Sequence, residues 1–235
     1  MNKLRIHSIT ALLLLVAISA PAGSKESWLS IMARMDKAAA EFKSMSAKVT
    51  YVTHTDVINE NTTETGTVLM QKVRNGEMRS LIDFLTPDKR TIAFENRRLR
   101  IYYPKIKTVQ EWDLGKHGEQ LDQFLMIGFG TSGTSLAKNY TVTVLGTEPV
   151  SGLQGIEATK LVLTPKAGEA KEYIKQLELL IPDSGDPYPV QEKISLPSGD
   201  YRLITYSDLK TNIPLRPDAL KLKLPTGVKT EYPGK

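Results

Sequence analysis

The sequence contains no cysteine. This absence excludes disulfide bonds, thiolate catalysis and cysteine-based metal sites. A protein without such covalent or metallic cross-links depends on its hydrophobic core alone. A chain of 235 residues is long enough to build one.

Long hydrophobic runs are almost absent. The longest, residues 11–20, is apolar apart from one serine. A membrane-spanning helix needs roughly 20 apolar residues. The sequence therefore does not predict an integral membrane protein.

Histidine is scarce, and His54 and His117 are the only two beyond the first 22 residues. They lie far apart in the chain, whereas a zinc site needs three or four ligands in a closed shell. No Gly-x-Ser-x-Gly elbow or paired carboxylates mark a catalytic centre. The glycine-rich residues 128–133 lack the Gly-Lys-Ser/Thr ending of a phosphate-binding loop. We therefore predict no enzyme activity, no metal and no cofactor.

The N-terminus has the pattern of an export signal. Lys3 and Arg5 precede the apolar residues 11–20, and the small residues of Ala20-Pro21-Ala22 offer a cleavage site. We predict that residues 1–22 form a signal peptide. Because no cysteine follows the apolar run, a lipid anchor is not expected, and we expect a soluble protein in the periplasm.

The remaining residues, 23–235, are predicted to form a single domain. The length suits a β-rich domain, since sandwiches and barrels often run to roughly 200 residues or more. The formal charge of +5 becomes +3 when Lys3 and Arg5 are removed. This mildly basic balance gives no reason to expect nucleic acid as a partner.

Apolar residues at spacings of three and four predict one amphipathic helix over residues 26–47. The period then changes to two, and turn-forming residues separate the segments that follow. Predicted strands occupy residues 47–57, 65–73, 78–85, 90–95, 98–103, 107–113, 140–146, 155–164, 172–181, 189–196, 200–207 and 219–224. Such short connections favour an antiparallel meander, and a sheet of eleven or twelve strands should curl towards a barrel.

The hairpin at residues 87–104 has a proline, a strand, a tight turn and an aromatic-rich strand that ends before a second proline. This order resembles the hairpin of the LolA family of periplasmic outer-membrane lipoprotein carriers. Asn96 stands where the family turn has glycine, and asparagine tolerates a positive φ. Four further segments occur in the family's order, at residues 66–70, 124–127, 161–166 and 217–228.

The resemblance implies a mainly β fold with α elements: an incomplete, half-closed antiparallel β-barrel of about 11 strands covered by helices. It also implies a function, namely carriage of lipoproteins by their acyl chains through the periplasm. The implied partners are the acylated cargo, an inner-membrane donor complex and an outer-membrane acceptor, with the carrier itself a monomer.

Inward-facing apolar side chains on neighbouring strands are the candidates for binding acyl chains. They are Val68, Met70, Ile82, Phe84, Ile92, Leu99 and Ile101. The alternative is ordinary core packing, which produces the same pattern in any β protein.

A short apolar helix predicted at residues 118–129 stands where the family has its lid. The candidate lid residues are Leu121, Phe124, Leu125, Ile127 and Phe129. The alternative is a helix that fills the end of the barrel. Lys72 stands where the family has a basic residue before proline, which makes Lys72 a candidate for locking the lid or binding a headgroup.

Val73 replaces that proline, and this departure leaves other functions open. One is carriage of another lipid, of glycolipid or hopanoid type. A second is an RseB-like sensor module for lipid or mislocalised lipoprotein. Sensors of that type normally carry a second domain, and the ending at Lys235 favours the carrier. The basic cluster at residues 97–107 could contact acidic headgroups or be an ordinary solvated face.

Overall fold

A computed structural model describes residues 27–73, 77–115, 127–166 and 170–233. The predicted signal peptide, residues 1–22, lies outside these ranges. Among the described residues there are three α-helices: α1 (Trp28–Glu41), α2 (Gly133–Asn139) and α3 (Ala170–Tyr173). The structure has no helix there that is long and apolar enough to cross a membrane.

Helix α1 begins at a serine cap, where the Ser27 hydroxyl accepts a hydrogen bond of 3.2 Å from the backbone N–H of Ser30. Its buried face carries Ile31, Met35 and Ala39, one residue per turn. The predicted end near Ala47 is wrong, because a strand already begins at Ser44. From that point the burial follows the period of a strand, and pairing with two neighbouring strands determines the conformation.

The described part of the chain forms one twelve-stranded sheet. Its strands are β1 (Ser44–Thr55), β2 (Glu60–Lys72), β3 (Met78–Thr86), β4 (Arg90–Glu95), β5 (Arg98–Tyr103), β6 (Thr108–Asp113), β7 (Tyr140–Pro149), β8 (Glu157–Pro165), β9 (Gln176–Pro182), β10 (Gln191–Ser195), β11 (Tyr201–Thr211) and β12 (Lys229–Glu231).

The sheet order is β12-β6-β5-β4-β3-β2-β1-β11-β10-β9-β8-β7. Strands β1 to β6 and β7 to β11 form two antiparallel meanders that meet where β1 pairs with β11, and β12 lies beside β6. Because β7 and β12 lie at opposite ends, the sheet does not close. The predicted half-open barrel covered by helices is therefore confirmed, although the meander is not continuous as predicted.

The predicted strand at residues 219–224 is wrong. This segment is a turn followed by irregular chain, and the last strand is β12, which pairs in parallel with β6. Leu220 and Leu222 alternate because both pack against Leu81, Tyr102 and Val109 of the sheet. Their period of two reflects burial and not strand pairing.

Two apolar clusters lie between the helices and the sheet. One joins α1 to β8, β9 and β10 around Leu161, Leu177 and Leu179. The other joins the end of α1 to β1, β2 and β3 around Met45 and Met70. These clusters fix α1 across the inner face of the curved sheet.

Candidate functional site

A cavity of about 1300 Å³ lies between the helices and the inner face of the sheet. Side chains from α1 and α2 cover it on one side, and strands β1 to β4 and β9 to β11 line the other. Protein interiors normally pack to the density of organic crystals with few voids. The half-open barrel therefore contains a space much larger than an ordinary packing void.

Five of the seven predicted acyl-binding residues line this cavity: Val68, Met70, Ile82, Phe84 and Ile92. They alternate along β2, β3 and β4, so each presents its side chain to the same face.

The other two predicted residues, Leu99 and Ile101, lie outside the cavity lining. Ile101 is paired with Ile92 across β4 and β5, so the two side chains lie on the same face of the sheet. The hollow part ends at β4, one strand before these residues. The position of Leu99 and Ile101 therefore does not support a role for them in ligand binding.

The predicted lid falls partly outside the described residues, which do not include Leu121, Phe124 and Leu125. Ile127 lines the cavity from the turn formed by residues 127–130. Phe129 follows and is buried, 1% exposed.

Phe129 anchors this turn in an aromatic cluster. Its ring lies 5.8 Å from that of Tyr188 in a stacked arrangement and 5.1 Å from that of Tyr206 edge-on, measured between centroids. Phe42, at the end of α1, completes the cluster at 6.4 Å. Offset and edge-on aromatic pairs each add about 0.5–1.5 kcal/mol to ordinary burial.

Helix α2 was not predicted from the sequence. Ser132 caps it, with its hydroxyl accepting a hydrogen bond of 3.0 Å from the N–H of Ser135. A β-carbon on Gly133 would come within 2.6 Å of Met32, so glycine permits α2 to approach α1 closely. Asp36 accepts two hydrogen bonds from Thr134, at 2.9 and 2.7 Å, and joins the two helices.

Lys72, the candidate locking residue, lines the cavity at the end of β2. Its ammonium group donates a hydrogen bond of 3.4 Å to the carbonyl of Ala39 in the last turn of α1. A cation is favoured there because helix carbonyls leave partial negative charge at the C-terminus. Lys72 thus connects the sheet to the helix that covers it.

Glu192 on β10 is a buried acid in this lining. Within the described ranges, its Oε1 has no hydrogen-bond partner. Burial raises the pKa of this carboxyl to about 8 from its ordinary value near 4.5, because a low-dielectric site disfavours the charged form. The group therefore holds its proton at neutral pH.

Polar side chains occupy one end of the cavity. Arg90 on β4 forms an ion pair of 2.8 Å with Glu64 on β2 and lies 4.5 Å above the ring of Phe84. Arg202 on β11 and Tyr51 on β1 line the same region. Sequence reasoning missed these residues. Arg90 lies within the hairpin at residues 87–104 but was not singled out there, and no motif contains Arg202 or Tyr51.

The basic cluster at residues 97–107 is largely ion-paired. Arg98 contacts Glu111 at 3.3 Å, Arg100 contacts Glu95 at 3.7 Å, and Lys105 contacts Asp88 at 3.9 Å. None of these groups is among the residues that line the cavity.

No protein-family model matches this chain, and no curated protein matches it. Its structure is similar to an uncharacterized conserved protein from Thermus thermophilus, with a TM-score of 0.52 and 14% identity. That match covers 88% of this chain and 99% of the other.

Two further solved structures are similar. MucB, in the Pseudomonas aeruginosa MucA/MucB complex, gives a TM-score of 0.46 at 17% identity over 83% of this chain. This chain spans 60% of the chain that it matches there. A LolA superfamily protein from Nitrosomonas europaea gives a TM-score of 0.41 at 15% identity, over 84% of this chain and 98% of that chain. At such identities the likeness concerns the fold alone.

Proposed function

We propose that this protein is an exported carrier that encloses acyl chains in its cavity and moves them through the periplasm. The observation that supports this proposal is the cavity of about 1300 Å³, whose lining surface is mostly apolar. Pockets for drug-sized ligands measure roughly 300–1000 Å³. The space suits a ligand larger than a small metabolite, and its lining suits hydrocarbon.

The energetics agree with a carrier of hydrocarbon. Each methylene buried from water gains about 0.8 kcal/mol, so a chain of about twelve methylenes gains roughly 10 kcal/mol. Binding of this strength needs a route for release. We propose that α1, α2 and the turn at residues 127–130 uncover the cavity, with Phe129 and the undescribed Leu121, Phe124 and Leu125 belonging to this cover. Lys72 would lock it through its bond to α1.

The more specific part of the proposal concerns the cargo and its route. Lipoproteins would be received from an inner-membrane donor and passed towards the outer membrane, as the sequence resemblance implies. Carriage of another lipid and an RseB-like sensor role are the competing outcomes of the test.

The test is native mass spectrometry, followed by lipid extraction, on protein purified from the periplasm. The matched variants are Ile92→Trp, which places an indole at the wall of the cavity, and Val57→Trp, which makes the same change at a site 90% exposed. We expect an apolar mass on the wild type and on Val57→Trp, and its loss from Ile92→Trp.

The identity of the bound mass decides the finer proposal. Acylated peptide or triacylated lipoprotein supports the lipoprotein carrier, and a different lipid assigns the protein to carriage of that lipid. If neither the native protein nor protein incubated with excess lipid holds an apolar mass, the proposal is refuted.

A further inference from the structure

Two arginines converge at one end of the cavity through the register of the sheet. Between β1 and β11, Tyr51 pairs with Ile204 and Thr53 pairs with Arg202. Between β3 and β4, which lie beyond β2 in the sheet, Phe84 pairs with Arg90. The ring of Phe84 lies 5.8 Å from that of Tyr51.

In the part of the chain that the structure describes, one carboxylate lies within ion-pair distance of these two guanidinium groups. Glu64 contacts Arg90 at 2.8 Å. Among the described residues, no carboxylate forms an ion pair with Arg202, whose Nη1 donates at 3.3 Å to the backbone carbonyl of Tyr201. The pKa of the Asp200 carboxyl is lowered, mainly by the hydrogen bond that this carboxyl accepts from the Asp56 N–H. Arg202 is near enough to Asp200 to contribute a smaller lowering. One positive charge at the cavity wall is therefore left without a direct partner.

An unused hydrogen-bond donor accompanies this charge. The Nε of Arg90 is buried and has no hydrogen-bond partner within the described part of the chain. Burial raises the pKa of the Tyr51 phenol, and Arg202 and Arg90 partly oppose this effect. The phenol therefore keeps its proton at neutral pH and faces the same charged region as both arginines.

We propose that Arg90, Arg202 and Tyr51 form a headgroup site for an anionic phosphate-bearing lipid, whose chains occupy the aliphatic part of the cavity. The inference rests on the proposed function, because the chains must enter the cavity for the headgroup to reach this end. Guanidinium groups match phosphate oxygens with paired hydrogen bonds. A low-dielectric wall strengthens such contacts relative to water.

Two probes that share one chain separate the headgroup site from the cavity. Isothermal titration calorimetry on the lipid-free mature protein would compare dodecyl phosphate with dodecanol, and a third titration would use inorganic phosphate. We expect dodecyl phosphate to bind at least tenfold more tightly than dodecanol, since a hydrogen bond to a charged group contributes roughly tenfold or more. The preference should shrink as salt rises.

Variants test the assignment to these residues. Arg202→Gln should reduce the preference for phosphate over alcohol about tenfold. Arg202→Lys keeps the charge and should retain part of the preference. Arg216→Gln is the control, because Arg216 is exposed, does not line the cavity and pairs with Asp218.

The outcomes are distinguishable. Equal binding of the two dodecyl probes, or an unchanged preference in Arg202→Gln, overturns the headgroup site and leaves the carrier proposal standing. If inorganic phosphate binds as tightly as dodecyl phosphate, the proposal that the anion belongs to a lipid is overturned. Failure of both dodecyl probes refutes the carrier proposal and the headgroup site together. If Arg202→Gln does not fold, the salt dependence of the wild-type preference decides, and a preference that salt does not change overturns the site.

Discussion

The buried acid Glu192 should make this protein less stable as the pH rises. Its pKa is about 8 in the folded protein and near 4.5 when exposed. Between these values the folded chain binds a proton that the unfolded chain has released. The free energy of unfolding therefore falls with increasing pH across this window, and the loss is complete above about pH 8.

The magnitude follows from the size of the pKa shift. One pKa unit corresponds to about 1.4 kcal/mol, so a rise from 4.5 to about 8 amounts to roughly 5 kcal/mol at full development. This is a large part of the stability of an ordinary domain, which is about 5–15 kcal/mol. Tyr206 is the titratable group that faces Glu192 from β11, and burial raises the pKa of its phenol well above the ordinary value, so it stays neutral throughout.

Urea unfolding of lipid-free protein at several pH values between 4.5 and 9 would measure this effect. Glu192→Gln keeps the shape and removes the titration, so the difference in unfolding free energy between variant and wild type should grow by several kcal/mol as the pH rises. Glu60→Gln, at an exposed position on β2, is the control and should show no such growth. A difference for Glu192→Gln that stays constant with pH would refute the reasoning.

Three further substitutions test other parts of the structure. Gly66→Ala should cost roughly 2–3 kcal/mol in urea unfolding, because its β-carbon would lie 2.1 Å from the carbonyl oxygen of Asp83; wild-type stability would show that the two strands can separate without cost. Phe129→Ala should cost about 3–5 kcal/mol, as expected for a fully buried ring, and a loss below 1 kcal/mol would mean that the turn is not anchored there. Lys72→Met should speed the release of a bound fluorescent fatty acid in stopped-flow measurements, since it removes the bond to Ala39; an unchanged rate would show that Lys72 does not lock the cover.

Local features were predictable where neighbouring residues determine them. The hairpin turn at Asn96 was expected to need a positive φ, and Asn96 has a φ of 52°. The strands at residues 90–95 and 98–103 have the predicted bounds for the same reason, since a tight turn fixes the register on both sides. Gly66 belonged to a recognised motif, but only the structure shows the close approach of β2 to the β3 backbone that requires glycine there.

The charged end of the cavity was not predictable, because it depends on pairing between distant segments. Arg202 and Tyr51 meet only through the contact of β11 with β1, and periodicity within either strand does not reveal this partner. Glu192 has the same difficulty: an acid in an alternating strand is normally assigned to the solvent side. The cavity lining includes residues of β4 but neither Leu99 nor Ile101 of β5, and the alternation within β5 does not reveal this difference.

The junction of β1 with β11 also constrains the order in which this chain can fold. The strand at the centre of the sheet has one neighbour close by in sequence, β2, and another from near the end of the chain. Pairing with the distant neighbour must close a very long loop, so it is expected to be slow compared with hairpin formation. Until residues 201–211 are available, β1 keeps one unpaired edge and the inner wall of the barrel is incomplete. The cavity can therefore form only when nearly the whole chain is present, and the hairpins of β1 to β6 must form without it.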